Sequence, residues 1–143
     1  MNDKTDTIHQ HGYWFNTDSR HHVFDSKLCE ALISMFRGVE SVLDIGCGDG
    51  SYIKRMNQEG FACIGYDGNP NTEILTDGLC GVMDFAEPVN IGNFELVLCL
   101  EVGEHIPRDY EQIFIDNVVK CSKKWIVLSW GLPGQPGWGH VNC

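Results

Sequence analysis

Three glycines at alternate positions, Gly46, Gly48 and Gly50, follow directly on the apolar run Val42-Leu43-Asp44-Ile45 and precede a segment of helical spacing. A strand that ends in such a turn and hands over to a helix constrains the fold more than any other feature of the chain. Glycines let the backbone turn sharply and approach a ligand closely. The first turn of the following helix offers N–H groups without intrahelical partners.

The pattern continues downstream as short apolar runs alternating with helical periodicity, the signature of βαβ units around a parallel sheet. Strands are expected at about 41–45, 62–66, 81–83, 94–100 and 125–129. The runs Leu96-Val97-Leu98-Cys99-Leu100 and Ile126-Val127-Leu128 are continuously apolar, as strands covered on both faces require. Ser51 is expected to cap a helix with Tyr52, Ile53 and Met56 inward, ending near Gly60. Tyr110, Ile113, Phe114, Val118 and Cys121 recur at helical spacing. Ahead of the first strand, Phe24, Leu28, Ala31, Leu32, Met35 and Phe36 are expected on one face of a helix stopped at Gly38. The Gly/Pro-rich stretch from Gly131 to Gly139 suits neither helix nor central strand, so a loop is expected.

The chain has 143 residues, within the range of one domain. The reading divides it into an N-terminal lid or helical segment (1–38), a core (39–130) and a tail (131–143). The formal net charge is −10 and the basic residues are scattered. The absence of a basic patch argues against nucleic acid and an anionic membrane surface as partners. Met1–Asp6 has no apolar segment behind it, so no signal peptide is expected. The cysteine count is seven, odd and without a Cys-x-x-Cys pair. That suits buried core thiols in a reducing cytoplasm, and no zinc-ligand spacing is present.

The second strand ends in Gly65-Tyr66-Asp67, and Gly68 follows. A carboxylate at that strand end can accept hydrogen bonds from both ribose hydroxyls of an adenosine ligand. The run Val-Leu-Asp-Ile-Gly-Cys-Gly-Asp-Gly, 42–50, resembles the first motif of class I S-adenosylmethionine (SAM)-dependent methyltransferases. Nicotinamide-dependent oxidoreductases, a rival reading, usually carry Gly-x-Gly-x-x-Gly instead. The resemblance extends through Asp67, Met83-Asp84-Phe85 and 94–107. It implies a Rossmann-like, doubly wound, mostly parallel sheet with helices on both faces. It also implies SAM as cofactor, with Asp44, Gly46, Cys47, Gly48 and Gly50 around its methionine part and Asp67 on the ribose, beside Gly68. By the same resemblance Asp84 bonds the adenine amino group, and Met83 and Phe85 pack on the ring. The antiparallel C-terminal hairpin usual in this family is not in the sequence. Catalytic competence is therefore less secure than SAM binding, and a SAM-binding domain or fragment without turnover is the alternative. The fifth strand is left as an apolar edge, for which self-association or marginal stability is expected.

Carboxyl ends of parallel strands face the ligand crevice, which directs Leu100, Glu101, Glu104 and His105 towards the sulfonium or the acceptor. On a helical turn Glu101, Glu104 and His105 would share a face. Two chemistries stand open. His105 can act as a general base towards an acceptor hydroxyl, with Glu104 beside it. Alternatively, Glu101, Glu104, His105 and His140 hold a divalent metal. Glu-Val-Gly-Glu-His resembles a segment of ubiquinone-pathway and small-RNA O-methyltransferases, and in the latter it binds metal. O-methylation of a small-molecule acceptor is the expected reaction. The aromatic segment His11-Gly12-Tyr13-Trp14-Phe15 either closes over the site or packs apolar surface. His21 and His22 are not assigned to the site.

Overall fold

The computed structural model describes residues 8–143. The Met1–Asp6 segment, on which the signal-peptide expectation rests, lies outside them. The elements are α1 (Ser26–Met35), β1 (Val42–Ile45), α2 (Ser51–Gln58), β2 (Cys63–Asp67), α3 (Thr72–Leu75), β3 (Gly81–Val82), β4 (Phe94–Cys99), α4 (Glu111–Lys120) and β5 (Ser122–Leu128). Two short 3-10 turns, Gly103–His105 and Arg108–Tyr110, precede α4.

The strands form one five-stranded sheet in the order β3-β2-β1-β4-β5. Every strand pair is parallel. Strands added after β1 run outward on one side through β2 and β3, whereas β4 and β5 lie on the other. The reversal falls between β1 and β4, and the crevice at such a switch point is where α/β sheets bind ligands.

Side-chain alternation along β1 explains the two covered faces. Val42 joins Leu96 and Leu98 in a cluster closed by Cys29, Leu32 and Ile33 of α1 and Ile53 and Met56 of α2. Leu43 and Ile45 point the other way, into a cluster with Val97 and Cys99 closed by Phe114 and Val118 of α4. A fully buried side chain of this size contributes about 1.5–3 kcal/mol, so both faces are needed to hold the sheet.

Several local expectations are corrected. The first helix starts at Ser26, with the Asp25 carboxylate accepting from Leu28 N–H at 3.0 Å. Its inward residues are Cys29, Leu32 and Ile33, while Met35 is 72% exposed and Phe24 precedes the helix. The face is thus turned relative to the expected one, because Cys29, Leu32 and Ile33 are the residues that pack against Val42, Leu96 and Ile53. Ser51 is the first helical residue, not the cap. The N-cap is Gly50, which makes no side-chain bond, and Asp49 just before it accepts from Ser51 N–H at 3.1 Å and from Ser51 Oγ at 2.6 Å. The fifth strand begins three residues earlier than expected, at Ser122. Six of the seven cysteines are buried and all are free. Among the described residues no helix is long and apolar enough to cross a membrane.

Candidate active site

The glycine loop leaves β1 with φ of 72°, 56° and 74° at Gly46, Gly48 and Gly50. These left-handed values favour glycine, and they fold the loop back beneath the end of β2. There Asp67 Oδ2 accepts from Gly48 N–H at 3.0 Å, and Oδ1 accepts from Asn69 N–H at 2.9 Å. The carboxylate is thus fixed in place with lone pairs to spare. Asp44 is 4% exposed. Burial holds its carboxyl well above the usual carboxylate range, with the Cys80 and Asp67 groups adding to the effect. The Cys47 thiol is pushed up by its hydrogen bond with Cys80 and then by burial.

The N-terminal segment crosses this loop as a strap. Ile8 and Trp14 form an antiparallel bridge, and His9 N–H donates to the Tyr13 carbonyl at 2.8 Å. Gly12 sits against the carbonyl of His105, where any Cβ would collide with backbone. Tyr13 lies on Gly68 and His22 on Gly48. His11 is 7% exposed, and its Nδ1 donates to Asp84 Oδ2 at 2.5 Å. The Asn69 side-chain N–H donates to the Asn16 carbonyl at 2.9 Å. The strap therefore touches the ends of β1, β2 and β3 at once.

Beyond β4, Glu101 adopts φ 55°, a costly conformation for a non-glycine residue and one that clusters at functional sites. Its N–H donates to Ser129 Oγ at 2.9 Å. The helical face expected for Glu101, Glu104 and His105 does not form: only Gly103–His105 is helical, as a single 3-10 turn. The turn ends at Ile106, which is extended (ψ 119°) ahead of Pro107, as a residue preceding proline favours.

Glu104 is 0% exposed, and neither carboxylate oxygen has a hydrogen-bond partner. Burial, with the Glu101 carboxylate alongside, pushes it up to about 7. An unpaired buried polar group costs about 1–3 kcal/mol. His105 Nδ1 contacts the Gly139 carbonyl at 3.1 Å. Donation to that oxygen leaves Nε2 with the free lone pair. Burial lowers the His105 pKa, against the opposing pull of the Gly139 carbonyl, so the ring is neutral at pH 7.

The tail is an ordered loop. Val141 N–H and Asn142 N–H both donate to the Glu104 carbonyl, at 2.8 and 3.0 Å. Trp130 Nε1–H donates to the Asn142 carbonyl at 2.6 Å, and the Asn142 side-chain N–H to Glu111 Oε2 at 2.6 Å. This brings His140 beside His105, with ring centres 5.1 Å apart. Glu104, His105 and His140 each offer one ligand atom within 4.8 Å of the others. Glu101, the fourth member of the alternative metal set read from the sequence, is not in that cluster.

A cavity of about 110 Å³ lies between strap and sheet. Of the residues singled out from the sequence, Gly46, Asp67, Gly68, Met83, Asp84, Phe85, Glu101 and His105 line it. Asp44, Cys47, Gly48, Gly50, Leu100 and Glu104 are not part of its wall. Sequence reasoning missed His22, Asn16, Ile45, Val102, Ile106 and Phe114, which also line it. His22 carried no local signal, because it reaches Gly48 only through the path of the strap. The aromatic segment around Trp14 did carry one, and Gly12, Tyr13 and Trp14 of it line the cavity.

A family model described as a methyltransferase domain matches residues 19–128. No curated protein matches the sequence. In structure the chain is similar to magnesium protoporphyrin IX methyltransferase from Synechocystis with bound SAH. That likeness has 22% identity and a TM-score of 0.55, over 68% of this chain and 49% of that one. A TehB-like SAM-dependent methyltransferase from Corynebacterium glutamicum gives 18%, 0.57, 66% and 55% for the same measures. The methyltransferase domain of a bacterial Hen1 protein gives 13%, 0.56, 68% and 61%. At these identities the likeness is one of fold, and the chain spans 49–61% of the length of these neighbours.

Proposed function

The chain belongs to the family of methyltransferase domains, through residues 19–128, and from this we propose that it binds SAM in the cleft above β1 and β4 and methylates an oxygen of a small-molecule acceptor. The observation that carries the reading is Asp67 at the tip of β2, clamped by Gly48 N–H of the Gly-x-Gly-x-Gly loop. The left-handed loop supplies a close backbone approach, and Met83 and Phe85 supply an apolar wall for a ring. These features fit the cofactor. When bound, it contributes an electrophilic methyl group on sulfur. The protein's part is to hold the acceptor in line with it.

His105 is the proton acceptor in this reading. Its neutral ring lines the cavity and its Nδ1 is occupied by the Gly139 carbonyl, so Nε2 receives the proton of an acceptor hydroxyl. A second reading is favoured by the unpaired Glu104 carboxylate. Glu104, His105 and His140 are a donor set of oxygen and imidazole nitrogen suited to a divalent cation, which would orient acceptor oxygens.

Calorimetry with S-adenosylhomocysteine (SAH) tests the cofactor assignment. Saturable binding is expected, and Asp67→Ala weakens it by about 1.5–3 kcal/mol, or roughly ten- to hundredfold. No binding to folded protein, or equal binding by the variant, overturns it. Methyl transfer to a panel of acceptors tests turnover; binding without transfer leaves a SAM-binding domain. In that assay, activity lost in chelator and restored by magnesium or manganese assigns the metal reading. Activity that persists in chelator, with an ionisation removed by His105→Ala, assigns the base.

A further inference from the structure

Cys47 of the glycine loop and Cys80, just ahead of β3, reach each other across β2. Both belong to the cluster that α1 and α2 close over the sheet. Cys47 lies over Gly65 of β2, where an added Cβ would meet its Sγ at 3.2 Å. Cys80 precedes Gly81, the β3 residue paired with Tyr66. Its Sγ would meet a Cβ on Gly50 at 3.2 Å. Gly50 N–H in turn donates to the Cys47 carbonyl at 2.9 Å, so a single turn of the loop carries both contacts. The Cys47 thiol donates a hydrogen bond to the Cys80 sulfur.

The two thiols differ in what reaches them. Cys80 is only 4% exposed, yet it is part of the wall of an open groove of about 390 Å³, together with Tyr66, Glu73 and Leu79. None of that wall is shared with the cleft under the strap. A molecule the size of a peroxide meets Cys80 there without entering the cleft, whereas Cys47 is not in the wall. The hydrogen bond from Cys47 holds the Cys80 thiol below its ordinary pKa, and the thiolate is the form that attacks.

We propose that Cys80 is a site of oxidation by hydroperoxides, and that Cys47 converts the product to a disulfide that disables the glycine loop. The Cys80 thiolate attacks one peroxide oxygen and the O–O bond breaks. That oxygen stays on sulfur as a sulfenic acid, and the other leaves as water or an alcohol. The Cys47 sulfur then attacks the Cys80 sulfur, the S–O bond breaks, and hydroxide departs with the Cys47 proton as water. Two thiols are oxidised and one peroxide is reduced. The covalent bond brings the sulfurs closer than their hydrogen bond does, so Cys47 is drawn towards Cys80. The adjoining Gly48 N–H is drawn off the Asp67 carboxylate, which it now holds at 3.0 Å. A hydrogen bond to a charged group accounts for roughly tenfold in affinity. Only this last consequence rests on the SAM-binding reading above.

The test treats the folded protein with excess hydrogen peroxide, blocks the remaining thiols and maps peptides without reduction. Cleavage ahead of aspartate isolates Cys47 in 44–48 and Cys80 in 77–83. The two peptides are expected joined, lighter than their sum by two hydrogens. Calorimetry on the same sample is expected to show SAH bound roughly tenfold more weakly than by reduced protein, with affinity restored by dithiothreitol. Cys80→Ser and Cys80→Ala are expected to bind SAH like the reduced parent and to keep that affinity in peroxide. Peptides that stay separate, an SAH affinity indifferent to the mapped bond, or an equal loss in the Cys80 variants would overturn the proposal. Reduced protein that does not bind SAH removes instead the cofactor reading, and the joined peptides alone then decide whether the disulfide forms.

Discussion

His11 Nδ1 donates to the Asp84 carboxylate at 2.5 Å across 73 residues of sequence, and this bond fastens the strap over the cleft. The cavity beneath it, about 110 Å³, is smaller than the roughly 300–1,000 Å³ of ligand pockets. Tyr13 on Gly68 and His22 on Gly48 narrow the same space. The strap therefore leaves little space for an adenosine ligand, and His11 already occupies the Asp84 carboxylate.

His11→Ala is expected to raise SAH affinity. A net hydrogen bond contributes about 0.5–1.5 kcal/mol, or roughly two- to tenfold. Amide exchange in the strap should quicken in the same variant. Titration calorimetry and hydrogen exchange check both, and an affinity that is unchanged or weaker would show that the strap clamps the ligand rather than competing with it.

Glu104 makes stability depend on pH in a direction opposite to most paired carboxylates. Its folded pKa of about 7 lies above its ordinary value of 4.5, so the folded chain holds this proton more tightly than the unfolded one. The contribution is complete below pH 4.5 and is lost as pH rises through 7. At most about 3 kcal/mol is involved. Urea unfolding in chelator at pH 5 and pH 8.5 should show the parent losing more stability on alkalinisation than Glu104→Gln, by up to that amount. Equal losses in the two proteins would contradict the assignment.

Among the described residues the outer side of β5 has no strand beside it, yet Trp125 is 55% exposed, Ile126 40% and Leu128 50%. An apolar edge of this kind is a template for pairing with another chain. Light scattering during gel filtration is expected to show concentration-dependent self-association, reduced by Ile126→Lys. A monomer at high concentration, with or without the substitution, would rule this out.

Elements whose cause is local were legible in the sequence. The strand at Val42–Ile45, the glycine loop and the position of Asp67 follow from periodicity, from the φ values that glycine permits, and from strand-to-strand spacing, all encoded within about a turn of the residue concerned. The run of β4 is likewise unmistakable, because a strand buried on both faces has no polar alternation. Boundaries were less secure where a local detail decided them, as the Asp25 side-chain bond does for α1 and the left-handed Gly50 for α2.

The closing of the site was decided only by tertiary structure. No pattern within the strap announces that His11 reaches Asp84, that His22 covers Gly48, or that Trp14 meets Trp138. Those contacts join segments dozens of residues apart, and their geometry depends on how the strap crosses the sheet. Glu104 shows the same division. The sequence placed a glutamate after β4, but its sealed and unpaired carboxylate exists because the tail returns and two N–H groups, of Val141 and Asn142, dock on its carbonyl. Local chemistry specifies which backbone turns and strands a chain can form, whereas burial of a charge is a property of everything packed around it.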